Sequence, residues 1–104
     1  MAIKSKIRAQ LQGGDTTVKV LILHPMETGN RKDALTGIKV ARHFIKEVSC
    51  ERNGKTVMSA QWSWAVSENP YMSFQLKGGA RGDVIKIHWL DNKGTKDSLE
   101  TAVR

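Results

Sequence analysis

Alternation of apolar and polar residues predicts β-strands along most of this chain. Residues 3–12 carry isoleucine, alanine and leucine on one face and lysine, arginine and glutamine on the other, which is the period of a half-buried strand. Residues 16–24 are β-branched on one face and apolar again at Leu21 and Leu23. We expect this second strand to face the core on one side and a partner or a covering loop on the other.

Further strands follow from the same pattern and from the turn residues between them. They are expected at residues 41–52, 55–62, 71–76, 83–90 and 95–103. Asn53 and Gly54 mark a tight hairpin, because both residues tolerate the positive φ of a type I′ turn. The alternation slips at Ile45 and Lys46, where a β-bulge would change the exposed face. The last strand is more polar and is expected at a sheet edge.

The number and spacing of these strands indicate the fold class. Seven strands at intervals of about ten residues, with no convincing helix between them, favour an all-β, immunoglobulin-like antiparallel β-sandwich over a five-stranded oligonucleotide-binding barrel. A length of 104 residues suits one core, so a single domain is expected over residues 1–104. Trp62 and Trp89 are the expected core anchors.

Composition and charge narrow the class of partner. The chain is 39% hydrophobic and 26% charged, as in soluble globular proteins, and no apolar run approaches the roughly 20 residues of a membrane helix. Seventeen lysines and arginines against ten acidic residues give a net charge of +7, which suits an anionic partner or simply a solubilising surface. The N-terminus lacks the hydrophobic centre of a secretory signal, so the chain on its own would be expected to stay in the cytosol or to travel with another protein.

A long segment at residues 24–40 reads neither as a strand nor as a tight turn, and loops of this length are usually functional or disordered. Its polar side chains surround Pro25 and Met26, a composition common at contact surfaces, although a solvated loop with internal ion pairs would look similar. We favour a partner-binding loop, because nearby apolar residues are in surplus. The candidate partner-binding residues are Leu21, Leu23, His24, Met26, Glu27, Arg31, Lys32 and Trp64.

The histidines, the cysteine and the glycine-rich turn give little support for an enzyme. His24, His43 and His88 show no zinc or iron ligand spacing, so no metal and no cofactor are expected, and His88 is interpreted as a structural or rim residue. The single cysteine, Cys50, sits in a strand like a small core residue, and a thiol enzyme that pairs it with His43 is a minor hypothesis. The glycine-rich residues 78–82 precede a strand, which indicates a turn and not a phosphate loop.

Nucleic-acid binding is the alternative that the charge and the aromatic residues leave open. Tryptophans interleave with lysines, as in proteins that stack single-stranded bases. However, Trp62 and Trp89 are needed for the core, which leaves Trp64 and Tyr71 to stack. The alternative function is therefore a free-standing basic β-domain that binds nucleic acid or small anions.

Several short motifs follow one another along the chain, at residues 18–22, 24–29, 31–33, 43–45, 60–62, 69–71 and 91–94. Taken in this order they resemble the SoxZ family, which provides one subunit of the sulfur-compound carrier in bacterial thiosulfate oxidation. The match extends over nearly the whole chain, and its specificity lies in the ordered set. Residues 38–42, where the family is expected to have a Pro-Ala-His step, and Trp64 depart from the pattern.

This resemblance implies a non-catalytic subunit of a heterodimer. The partner, SoxY, would supply a C-terminal cysteine arm that carries sulfur intermediates, and the carrier would meet a haem enzyme, a hydrolase and a sulfur dehydrogenase in turn. The resemblance also implies a periplasmic location, reached through the partner's export signal. Homodimerisation of the isolated chain stays open, and neither a nucleic acid nor a membrane is an expected partner.

Overall fold

Seven β-strands make up the regular structure of the part of the chain that the structure describes. The computed structural model describes residues 5–63, 66 and 68–104. The strands are β1 Lys6–Gln12, β2 Asp15–Leu21, β3 Ile45–Arg52, β4 Lys55–Gln61, β5 Tyr71–Leu76, β6 Val84–Asp91 and β7 Lys96–Ala102. Within these described ranges, no helix has the length and apolar character needed to cross a membrane.

The strands form two antiparallel sheets. One sheet has the order β1-β2-β5, and the other has the order β4-β3-β6-β7. This division places the first, second and fifth strands opposite the other four, as in immunoglobulin-like sandwiches. The fold class predicted from the alternation is therefore confirmed, and the polar strand β7 lies at a sheet edge as expected.

The core lies between the sheets and uses the inward-facing residues of each strand. In β6, Ile85, Ile87 and Trp89 are buried, whereas the residues between them are partly exposed. Each such side chain contributes about 1.5–3 kcal/mol when fully buried. Trp89 anchors the core as predicted. Trp62, which follows the edge strand β4, is half-buried and packs against the core. The other core residues are Ala9, Val18, Val20, Ile22, Met26, Ile45, Val48, Cys50, Leu76 and Val103.

The irregularity predicted near Ile45 and Lys46 is a β-bulge. The register of β3 against β6 shifts between Ile45 and Glu47, so Ile45 and Val48 both face the core while the two residues between them face solvent. The bulge thus keeps both apolar side chains inside a strand whose alternation is broken. A second shift, between Cys50 and Glu51, occurs where β3 meets β4.

The irregular segment expected at residues 24–40 is longer in the structure and occupies residues 22–44. The predicted second strand ends early, at Leu21. The Ile22 N–H still donates to the Pro70 carbonyl at 3.0 Å, but Pro70 has no N–H with which to extend the ladder. The predicted third strand starts late, at Ile45, because His43 pairs with Glu27 within the connection.

Two isolated bridges divide this connection into an inner and an outer part. Glu27 and His43 exchange backbone hydrogen bonds of 2.6 and 3.1 Å at the inner bridge. Lys32 and Lys39 are opposite each other at the outer bridge. We call residues 31–40 the outer hairpin. The connection is thus hydrogen-bonded along its length.

The C-terminal residues join the two sheets at one side. After β7 leaves the four-stranded sheet, the Arg104 N–H donates to the Ala9 carbonyl at 3.0 Å, and the Leu11 N–H donates to the Arg104 carbonyl at 2.9 Å. Val103 is buried between these contacts and the core. The free edge of β1 is therefore covered at this point by the end of the chain.

Candidate recognition site

Two histidines and one aspartate fasten the β2–β3 connection to the end of β6. His43 Nε2 lies 2.7 Å from Asp91 Oδ2, and His24 Nε2 lies 3.5 Å from the same oxygen. The two imidazole rings meet edge to face, with centroids 4.4 Å apart. His24 and Asp91 are buried, and His43 is partly exposed. This His–His–Asp cluster fixes the position from which the outer hairpin begins.

The Asp91 carboxylate is held in place from both sides. Its Oδ1 accepts the backbone N–H groups of Lys93 and Thr95, each at 2.9 Å, while its Oδ2 faces the histidines. Burial by itself would raise the pKa of Asp91, but the hydrogen bonds from His43, Thr95, His24 and Lys93 outweigh it and lower that pKa. The carboxylate is therefore ionised at neutral pH although it is only 3% exposed.

A backbone hydrogen bond determines the tautomer of His24. The Met26 N–H donates to His24 Nδ1 at 3.1 Å, so Nδ1 carries no proton, and the neutral ring holds its proton on Nε2, which donates to Asp91. Burial lowers the pKa of His24 and exceeds the opposing effect of the Asp91 hydrogen bond. His24 is thus neutral when the protein is folded at neutral pH.

The same three side chains could in principle hold a metal ion, since their ligand atoms all lie within 4.8 Å of one another. A histidine that binds a metal normally donates its other ring N–H to an acceptor. His24 instead receives a hydrogen bond at Nδ1 from Met26, so binding through Nε2 would require an imidazolate or the loss of that bond. The residues present do not fit a metal centre, and the cluster is better described as a buried hydrogen-bonded cross-link.

Sequence reasoning missed this cluster because the three residues are far apart in the chain. His24 and Asp91 are separated by 67 positions, and no spacing rule brings them together. The signal that was available was weaker: His24 directly precedes Pro25, and Asp91 opens the Asn92–Gly94 turn, so each lies at or next to the end of a predicted strand. Strand ends that meet at one end of a sandwich are a reasonable place to look for such contacts.

Two of the predicted partner-binding residues are buried in the folded protein. His24 belongs to the cluster, and the Met26 side chain is 4% exposed, with its sulfur accepting the Ile45 N–H at 3.3 Å. Both residues are buried in this conformation and help to position the loop. Trp64, another predicted partner-binding residue, lies outside the described residues.

The remaining candidates occupy the accessible part of the connection. Leu21 and Leu23 are half-buried, and Lys32 is exposed. Arg31 forms a forked ion pair with Glu27 in which Nη2 and Nε donate to the carboxylate at 2.7 to 3.1 Å. This hydrogen bond lowers the pKa of Glu27 and raises that of Arg31. The pair stiffens the base of the outer hairpin.

The most exposed apolar residues of the connection were not among the predicted ones. Leu35 is 97% exposed and Ile38 is 69% exposed, and both lie at the turn of the outer hairpin. The sequence signal was modest: two aliphatic residues flank Thr36 and Gly37 within an otherwise polar loop. Neither residue stood out, because isolated aliphatic residues are common on surfaces.

Cys50 is inert in this structure. Its side chain is fully buried on the core face of β3, and burial raises the pKa of the thiol to about 11. His43 is already engaged with Asp91 at the far end of the strand. The thiol-enzyme hypothesis is therefore wrong, because an activated nucleophile needs a lowered pKa and an adjacent base.

The outer face of the four-stranded sheet carries a shallow concavity of about 630 Å³. Acidic and basic side chains are mixed there, with Glu51 3.8 Å from His88 across neighbouring strands and with Lys86 and Lys96 beside them. His88 is half-exposed, which agrees with its interpretation as a rim residue. Trp89 and Leu90 also line the concavity, and its mixed charges favour neither an anion nor a cation.

The fold and the site together define a class of protein. The described residues form a β-sandwich whose single thiol is buried and whose most accessible chemistry is an ordered loop with exposed cations and aliphatic side chains. This combination is typical of a binding subunit, since loops on a rigid sandwich usually carry recognition.

The chain belongs to the SoxZ family. A family model described as sulphur oxidation protein SoxZ matches residues 3–102 of its 104 residues. The match confirms the resemblance seen in the ordered motifs, and it places the chain among the subunits of the Sox sulfur-oxidation system. A comparison with curated proteins gives no match to this sequence.

Proposed function

We propose that this chain is the non-catalytic subunit of a heterodimeric sulfur-compound carrier. It binds SoxY, and the SoxY subunit carries the sulfur intermediates on its C-terminal cysteine. Membership of the SoxZ family over residues 3–102 is the observation that carries this proposal. The family's system oxidises sulfur compounds, and covalent carriage of sulfur requires an accessible thiolate.

The state of Cys50 supports this division of labour. It is the only cysteine of the chain, it is fully buried, and its thiol pKa is raised to about 11. A thiol of this kind neither ionises at neutral pH nor reaches a substrate. This supports the assignment of the carrying cysteine to SoxY.

A second part of the proposal concerns the enzymes that act on the carrier. We assign to this subunit a share in docking the haem enzyme, the hydrolase and the sulfur dehydrogenase in turn. Its net charge of +7 would attract acidic partners and increase their association rates at low salt. We place the heterodimer in the periplasm, reached by export together with SoxY.

Co-expression with SoxY tests the central claim. The two chains should elute together in size-exclusion chromatography, with a light-scattering mass equal to one copy of each, and should remain together on dilution to nanomolar concentration. SoxY truncated before its C-terminal cysteine arm serves as a control and should still bind. A chain that elutes alone when mixed with intact SoxY would refute the proposal.

A further inference from the structure

The outer hairpin is ordered by its own backbone. The Val40 N–H donates to the Arg31 carbonyl at 2.7 Å, and the Asp33 N–H donates to the Ile38 carbonyl at 2.9 Å. The two strands of the hairpin are thus paired on both sides of the outer bridge. A segment paired in this way presents its turn in a defined conformation and not as a flexible coil.

The turn itself is closed by Asp33. Its Oδ1 accepts the N–H groups of Leu35 at 2.8 Å and Thr36 at 3.1 Å, and its backbone carbonyl accepts the Gly37 N–H at 2.9 Å. Gly37 has φ of +70°, a conformation that residues with a Cβ rarely adopt. These bonds hold the turn that carries the exposed aliphatic side chains.

Leu35 and Ile38 therefore form an apolar tip that is fixed before any partner binds. Burying a leucine or isoleucine side chain strengthens an interaction by about tenfold or more. Because the backbone of the turn is already ordered, little of that gain would be lost to ordering on binding. Exposed aliphatic residues on a preorganised turn are suited to insertion into a pocket.

The charged residues beside the tip indicate which groups should border the pocket of the partner. Lys32 and Lys39 are opposite each other at the outer bridge, and like charges at paired positions are unfavourable. Among the described residues no carboxylate forms an ion pair with either lysine. The nearby Asp33 is engaged by the turn, and Glu27 by Arg31. A carboxylate supplied from outside would relieve this repulsion.

We propose that the tip formed by Leu35 and Ile38, with Lys32 and Lys39, docks into an apolar socket bordered by carboxylates on a transiently bound protein. This inference rests on the proposed function, since the transient protein is one of the enzymes that act on the carrier. Two aliphatic side chains cover far less than the area of a permanent subunit contact. They also offer less apolar surface than a single acyl chain, which itself anchors only weakly to a bilayer.

The test uses the heterodimer of this chain with SoxY, immobilised for surface plasmon resonance, and the three Sox enzymes as separate analytes. The double variant Leu35→Thr/Ile38→Thr removes the apolar tip. Val57→Thr, an exposed aliphatic residue on β4, is the matched control. We expect the double variant to weaken binding of at least one enzyme by about 100-fold and the control to leave it within about twofold.

The lysines are tested separately through kinetics. Lys32→Gln/Lys39→Gln should lower the association rate of the same enzyme and flatten its dependence on salt, while the dissociation rate changes less. Circular dichroism and the melting temperature should match the wild type for both double variants, because all four side chains are exposed.

Several outcomes would overturn the inference while leaving the heterodimer intact as a proposal. Wild-type affinity of the Leu35→Thr/Ile38→Thr heterodimer for every enzyme would do so, as would a wild-type heterodimer that binds none of them. Loss of SoxY binding in this variant would place the tip in the permanent interface. Loss of binding to phosphatidylglycerol vesicles, or of self-association, with enzyme binding unchanged would assign the tip to a membrane or a second copy. Failure of the wild-type chain to bind SoxY refutes the proposed function instead.

Discussion

At the scale of single residues, the backbone N–H of Met26 determines the chemistry of His24. It donates a hydrogen bond to Nδ1 at 3.1 Å, so only Nε2 can carry the proton of the neutral ring. A protonated ring would direct a second N–H at the Met26 N–H, so both this contact and burial disfavour the charged form. The hydrogen bond from the Met26 N–H therefore requires a neutral His24, whereas the Nε2–H that donates to Asp91 is present in both charge states.

This leads to a prediction about pH. In the unfolded chain His24 titrates near pH 6.5, as a free histidine does, whereas burial lowers its pKa in the folded protein. Below about pH 6.5 the unfolded state binds a proton that the folded state does not, so the free energy of unfolding falls as the pH is lowered towards the folded pKa. Urea denaturation at a series of pH values between 8 and 5 measures this slope.

His24→Asn is the variant that isolates the effect. Its amide oxygen can replace Nδ1 as the acceptor of the Met26 N–H, and it does not titrate. The decline in stability between pH 7 and pH 5 should be shallower in this variant than in the wild type. Equal slopes in the two proteins would show that His24 is not the group responsible.

The hydrogen-bonding state of the cluster also predicts the response to metals. Because Nδ1 of His24 accepts a hydrogen bond and is not a donor, Zn²⁺ should bind weakly to the His24, His43 and Asp91 side chains. Neither EDTA nor equimolar Zn²⁺ should shift the melting temperature by more than about 1 °C, well below the shift expected for a tightly bound ligand. A stabilising shift with Zn²⁺ that His43→Gln abolishes would contradict this assignment.

Cys50 provides a third prediction at this scale. Cys50→Ala in the heterodimer with SoxY should retain thiosulfate-dependent turnover in a reconstituted Sox system, since the buried thiol takes no part in carriage. Its only cost should be a small cavity in the core, lowering the free energy of unfolding by about 1 kcal/mol. Loss of turnover in a folded variant would mean that this thiol has a chemical role.

At the scale of elements, the strands could be predicted and the long connection could not. Strand positions follow from alternation, which is a local property, and the slip in that alternation at Ile45 located the bulge. The connection is shaped instead by contacts between distant residues, such as His43 with Asp91. For this reason the predicted loop was correctly placed near residues 24–40, yet its buried residues were expected at the surface and its exposed tip was overlooked.

The turn of the outer hairpin can be tested by itself. Asp33→Ala removes the acceptor of the Leu35 and Thr36 N–H groups and should destabilise the turn by about 1 kcal/mol. Hydrogen exchange at these two amides should become faster, while the melting temperature of the whole protein changes little. Asp33→Asn keeps an oxygen acceptor and is the control. Unchanged exchange in Asp33→Ala would show that the side chain does not hold the turn.

At the scale of the whole molecule, the two sheets are joined at one side by the end of the chain. Val103 is buried, and Arg104 pairs with β1 through its backbone at Ala9 and Leu11. Alternation predicted β7 but gave no sign of this contact, because it depends on how the sheets pack. A short polar terminus would ordinarily be expected to fray.

Removal of residues 103–104 should therefore be costly. The deletion removes the side chain of a buried valine, worth about 1.5–3 kcal/mol. It also removes four backbone hydrogen bonds of about 1 kcal/mol each, which Val103 makes with Gly82 and Asp83 and Arg104 makes with Ala9 and Leu11. We expect the free energy of unfolding, measured in urea, to fall by about 5 kcal/mol or more. Arg104→Ala keeps both backbone bonds and should behave like the wild type. A truncated chain as stable as the full one would show that the contact contributes nothing.

This contact also bears on when the protein can fold during its synthesis. It joins β1 to residue 104, so residue 104 must leave the ribosome before this side of the sandwich can close. Folds dominated by such distant pairings form slowly. The newly made chain would then spend time with an open β1 edge, and an early encounter with SoxY would shield that edge from aggregation.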